Sequence, residues 1–105
     1  MVRQGDVLLI PARPEAVTAA HVEVARRNGA LVLADGELTG HQHAIYDESA
    51  RLLRVEGDLD AVLVAPERCL LVHPEHDAIA IAKGTYIVRR QREYVDEDHF
   101  EIVAD

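Results

Sequence analysis

The sequence predicts an all-β domain, a small antiparallel β-barrel or sandwich, on three observations. Short apolar runs recur along the chain, each bounded by Gly, Pro, Asn or Asp. No window carries a sustained helical period. Apolar residues make up 49 % of the chain but aromatics only 4 %, so the core is built mainly from Val, Leu, Ile and Ala, and strands are favoured where the β-branched residues cluster. A chain of 105 residues suits one β-domain spanning 1–105.

In chain order, residues 2–12 (VRQGDVLLIPA) read as a strand ending near Pro11, with Pro11 and Pro14 punctuating a loop. Glu15 and the alanines that follow predict a short helix near residues 14–20, and residues 21–25 alternate like a strand. Asn28-Gly29 is a strong turn dipeptide, because both residues tolerate positive φ, and it predicts a hairpin into residues 30–34 (ALVLA). Further strands are expected in HAIYD (43–47), ARLLRVEG (50–57), DAVLVA (60–65), RCLLVH (68–73) and AIAIAKG (78–84). TYIVRRQREYV (85–95) is the longest candidate, and HFEIVA (99–104) closes the series. Strands at this spacing point to a sandwich or a small barrel.

The formal net charge is −8, which disfavours general nucleic-acid binding, because phosphate contacts need Lys and Arg. A single cysteine, Cys69, excludes an intrachain disulfide and fits a reducing compartment. It sits in an apolar run and reads as a small buried hydrophobe. The first residues do not form a secretory signal, and no run approaches the ~20 apolar residues of a membrane span. The expected location is the cytoplasm, with no membrane partner.

The chemistry concentrates in two short histidine segments. In an extended strand residues i and i+2 share a face, so His41 and His43 of GHQH point the same way and can chelate one ion. His73 and His76 of HPEH flank Pro74, which places them at a strand end or in a loop. Neutral imidazoles suit zinc, iron, nickel and copper, and the expected cofactor is a divalent metal, zinc, iron, nickel or manganese. Glu48 or Glu37 is placed to supply that carboxylate, and Glu37 and Glu75 are candidate general bases. The competing reading is an exposed, histidine-decorated strand and a polar loop. His21 and His99 are isolated and read as ordinary polar residues. No nucleophilic serine motif, phosphate loop or dinucleotide fingerprint is present.

Gly36, His41, His43 and Glu48, with four residues between His43 and Glu48, resemble the first motif of the cupin superfamily. The segment IAIAKGTYIV (79–88) resembles the second motif, but Ala82 stands where that motif has proline and Ile87 where it has the third metal-binding histidine. The resemblance implies a cupin-like domain holding a divalent metal, with His73 or His76 replacing the third ligand from elsewhere. Most of the chain is also similar to a family of small bacterial and phage proteins, through RQGDVLLIP, GELTGHQHAI, LVHPEH and GTYIVRRQREY. That similarity implies a coherent family and names no activity.

IVRRQREY is the remaining unusual segment. Arg90, Arg92 and Tyr94 share one face of an extended strand, and arginine interleaved with tyrosine can bind a small anion or single-stranded RNA. The competing reading is a solvated strand whose arginines pair with nearby acids. Three functions therefore stand open. One is a metal protein using His41, His43, His73, His76 and Glu48. The second is a non-enzymatic module presenting His and Arg/Tyr faces to a protein, an anionic small molecule or RNA. The third is a homo-oligomeric accessory subunit, for example a homodimer covering its sheet edges.

Overall fold

The protein's structure, a computed structural model, describes residues 1–35, 41–96 and 99–102, with side chains over 1–35 and 41–91. The described residues form twelve strands and one 3-10 turn, the strands being β1 (Val2–Gln4), β2 (Val7–Ala12), β3 (Val22–Glu23), β4 (Leu31–Asp35), β5 (Gln42–Ile45), β6 (Arg51–Arg54), β7 (Ala61–Ala65), β8 (Cys69–Val72), β9 (Ile79–Ile81), β10 (Gly84–Arg90), β11 (Arg92–Asp96) and β12 (His99–Ile102). They form a six-stranded sheet in the order β1-β2-β10-β7-β6-β3 and a four-stranded sheet in the order β4-β5-β8-β9, while β11 and β12 pair with each other. All pairings are antiparallel. Both larger sheets keep free edges, so the fold is a sandwich and not a closed barrel. Among the described residues no helix is long and apolar enough to cross a membrane.

Alternation along the strands builds the core. Val7 and Leu9 of β2, Leu52 of β6, Leu63 of β7, and Tyr86 and Val88 of β10 come from the larger sheet. Leu31 of β4, Ile45 of β5, Leu71 of β8 and Ile81 of β9 meet them from the smaller one. Tyr86 satisfies its hydroxyl by donating to the Ala82 carbonyl at 2.7 Å. Cys69 is buried in this core. Its thiol is pushed up from 9.0, first by burial and then by the Asp47 carboxylate.

Three expectations change here. Residues 2–12, read as one strand, form the β1–β2 hairpin, which turns at Gly5 (φ 55°). The short helix is one 3-10 turn, Pro14–Ala16, ended where Val17 turns extended. Asn28 (φ 52°) and Gly29 (φ 81°) do form the tight turn, closed by the Arg27–Ala30 bridge. Its flanks diverge, however, because β3 pairs with β6 and β4 pairs with β5. The turn therefore carries the chain from one sheet to the other. Arg26 holds that crossover in place, donating to the carbonyls of Gly29, Asp47 and Ala50.

Candidate functional site

The register of β5 against β8 decides how the histidines meet. Ala44 pairs with Val72 and Ile45 with Leu71. Continuing one step past the ladder sets His43 opposite His73, and two steps further sets His41 opposite Glu75. Residues directly opposed in antiparallel strands share a face. The His43 and His73 ring centroids are accordingly 4.3 Å apart, and His41 Nδ1 lies 3.6 Å from Glu75 Oε1. The loop after His73 then returns His76, whose ring is 4.4 Å from His73 and 5.9 Å from His43. His41 and His73 meet edge to face at 5.6 Å. Both predicted histidine pairs thus lie in one cluster. A bulge between Val32 and Ala34 shifts the β4 register, so that small Ala34 lies opposite His43.

His43 is fully buried, and two residues of the β1–β2 hairpin hold it. Gln4 Nε2 donates to the carbonyls of Leu71 (3.1 Å) and Asp77 (2.9 Å). That commits Gln4 Oε1 to accept, so the 2.9 Å contact with His43 Nδ1 places the hydrogen on the ring nitrogen. His43 Nε2 is left facing Asp6 Oδ1 at 3.3 Å. Asp6 is itself fully buried, and its other oxygen accepts from Arg90 Nε (2.9 Å) and Nη2 (2.8 Å). The Asp6 carbonyl accepts from the Gln91 amide at 2.7 Å, which interrupts the long strand predicted over 85–95 between β10 and β11. His73 has the opposite tautomer. Its Nδ1 accepts the amides of Glu75 (3.0 Å) and His76 (3.3 Å), so its hydrogen sits on Nε2.

The other candidates fall elsewhere. Glu48 is exposed, in the loop after β5, and its carbonyl takes a bond from Arg26 at 3.3 Å. Asp6, not Glu48, is the carboxylate seen against the His43 ring. Arg90 is turned inward onto Asp6, with 18 % of its side chain exposed. Arg89, on the outer face, pairs with Asp60 at 2.7 Å, and this bond raises the guanidinium further above its ordinary value. Arg92 and Tyr94 belong to β11, but their side chains, like Glu37 as a whole, lie outside the described residues. His21 caps its own loop, taking the Thr18 amide on Nδ1 at 2.9 Å. Gln4 and Asp6 were not legible as site residues. The only sequence signal was their i, i+2 spacing around Gly5, the same spacing as His41 and His43.

A pocket of about 400 Å³ adjoins the cluster, with His41, Gln42, Tyr46, Val72 and His73 in its walls. Among the described residues no three His, Cys, Asp or Glu side chains already stand as a ready-made metal site. The cluster draws on four separate segments: Gln4 and Asp6, His41 and His43, His73 and His76, and Arg90 with Gln91. A family described as a domain of unknown function, DUF8820, matches residues 3–91.

The chain belongs to the DUF8820 family.

The matched DUF8820 span contains every residue of the cluster. It begins at Arg3 and ends at Gln91, whose side chains are hydrogen-bonded to each other, Arg3 Nη1 donating to Gln91 Oε1. The β11–β12 hairpin lies beyond the match. No curated protein and no solved structure matches the chain.

Proposed function

We propose that this DUF8820 domain is a small metal-binding protein that holds one divalent cation in the histidine cluster. His43, His76 and Asp6 are its first candidates as ligands, and His41 stands at the open side. The observation that carries this reading is the meeting of four histidines and a buried carboxylate from three separate segments.

One distance supports a cation here. Ligand atoms about 2.0–2.1 Å from one tetrahedral ion lie roughly 3.3 Å from each other, and His43 Nε2 is 3.3 Å from Asp6 Oδ1. Imidazoles sharing an ion have ring centroids roughly 5 Å apart, and those of His43 and His76 stand at 5.9 Å, so a bound ion would draw the two rings slightly together. His43 donates Nδ1–H to Gln4 Oε1, and Asp6 accepts two bonds on its far oxygen. Metal-binding imidazoles and carboxylates are commonly oriented by such outer partners. His73 reads as a donor beside the ion, because its hydrogen is on Nε2. Two histidines and one carboxylate suit iron, manganese, nickel or zinc and leave coordination positions open.

The cupin resemblance enters this reading only through His41 and His43, since Glu48 and Ile87 take no part. A bound ion would supply Lewis acidity toward a small molecule in the adjoining pocket. Gln4 and Arg90 would hold the ligands in place, and the buried setting of Asp6 and His43 would exclude water from their side of the site.

The test is metal analysis of untagged protein, stripped with chelator and reloaded with zinc, iron, nickel and manganese in turn. One equivalent of metal is expected, with a rise in melting temperature, and both are lost in His76→Ala and Asp6→Asn that remain folded by circular dichroism. Wild-type protein that takes up none of the four metals would overturn the reading.

A further inference from the structure

Next to the histidine cluster, on the other side of Arg90, the sandwich interior carries arginine where the strand pattern calls for apolar residues. Arg54 of β6 pairs with Ala61, Ala61 with Val88, and Val88 with Leu9. Ala61, Val88 and Leu9 are all buried in the core, so Arg54 stands in an inward-facing row. Arg90 pairs with buried Val7 in another inward-facing row. Between these arginines and edge strand β4 lies a cavity of about 510 Å³, which Arg27 also lines. Its apolar wall comes from Val24, Val32, Leu33 and Val88, and Leu59, 68 % exposed, adds an apolar residue to the lining.

Three guanidinium groups and one carboxylate, Asp35, line this cavity in a chain of net charge −8. Arg27 is paired with Asp35 at 3.0 Å, and Arg90 with Asp6 at 2.8 Å. Arg54 is partly buried and has no carboxylate partner among the described residues. A guanidinium drawn toward an apolar interior is stabilised by an anion, and its planar fork matches carboxylate and phosphate oxygens two at a time.

We propose that this cavity binds a small organic anion, a carboxylate or phosphate group on an apolar body, with Arg54 receiving the charge and the valine-rich wall receiving the body. The inference goes beyond the metal reading and does not depend on it. Arg90 touches both sites, whereas Arg54 takes no part in the histidine cluster.

Octanoate and phenyl phosphate are the probes, titrated into chelator-treated, isotope-labelled protein, with 1-octanol as the uncharged control. Amide shifts are followed by NMR. Saturable shifts at Val24, Val32 and Val88 are expected for at least one anion, with octanol weaker. Arg54→Gln should weaken binding roughly tenfold or more, in line with loss of a charged hydrogen bond. Arg68→Gln, the same charge change at an exposed loop position, should leave binding unchanged. Equal weakening by both variants, octanol binding as tightly as octanoate, or no saturable shift with either anion would each overturn the proposal. Because the protein is metal-free throughout, failure of the metal reading leaves this outcome untouched.

Discussion

At the scale of single residues, the site depends on side chains whose role is to orient others. Gln4 is 2 % exposed and joins the His43 ring to the carbonyls of Leu71 in β8 and Asp77 in the loop after it. Leucine at this position removes the partner of one buried donor and of two acceptors. Each such group costs roughly 1–3 kcal/mol, so Gln4→Leu should lower stability by about 3 kcal/mol in urea unfolding. Cys69 makes a second prediction. Its thiol is raised above 9.0 by burial and by Asp47. Below pH 9.0 the thiol is neutral in both folded and unfolded chains and does not affect their balance. Above it the unfolded chain ionises first, so stability falls as pH rises. Unfolding free energies measured from pH 8 to 10.5 should fall more steeply for wild type than for Cys69→Val.

At the scale of elements, tight turns and strand register set what meets what. The Asn28–Gly29 turn sends the chain between sheets, with Gly29 at φ 81°. A Cβ there would meet nothing within 4 Å, so Gly29→Ala tests the backbone alone. The left-handed region costs a non-glycine residue about 1–2 kcal/mol, and thermal unfolding should show a loss of that size. An unchanged midpoint would mean that the turn tolerates an ordinary residue. The β5–β8 register works over a longer range. A slip of one residue would turn His43 to the outer face and bring Gln42 inside, dismantling the cluster without altering any residue. The bulge at Val32–Ala34 protects this arrangement, since it matches a small residue to the buried ring.

At the scale of the whole molecule, two sheets carry the core and both candidate sites, while β11 and β12 pair with each other in a sheet of their own. The family match likewise stops at Gln91. A chain cut after Gln91 should therefore keep the sandwich. Its far-UV circular dichroism should remain β-type, and its melting temperature should fall by no more than a few degrees. Loss of cooperative unfolding would show that the hairpin is needed by the body of the fold. The two candidate sites sit on either side of Arg90, which lines the arginine cavity and donates to Asp6 in the histidine cluster. One strand, β10, thus reaches both.

The sequence by itself determined the all-β class, most strand positions and the histidines that deserved attention. These are local properties: a period of two, turn dipeptides such as Asn28-Gly29, and the HxH spacing. Only the tertiary structure decided that the two histidine pairs meet, because their meeting depends on the pairing of strands some 30 positions apart in the chain. It also assigned the carboxylate. Glu48 is near in sequence but exposed beyond the strand end, whereas Asp6 arrives from the N-terminal hairpin and is buried against His43. Arg90 and Arg54 are both strand arginines, and only Arg90 stood out in the sequence. Pairing separates them: both line the cavity, but Arg90 is held by Asp6, whereas Arg54 has no carboxylate partner among the described residues.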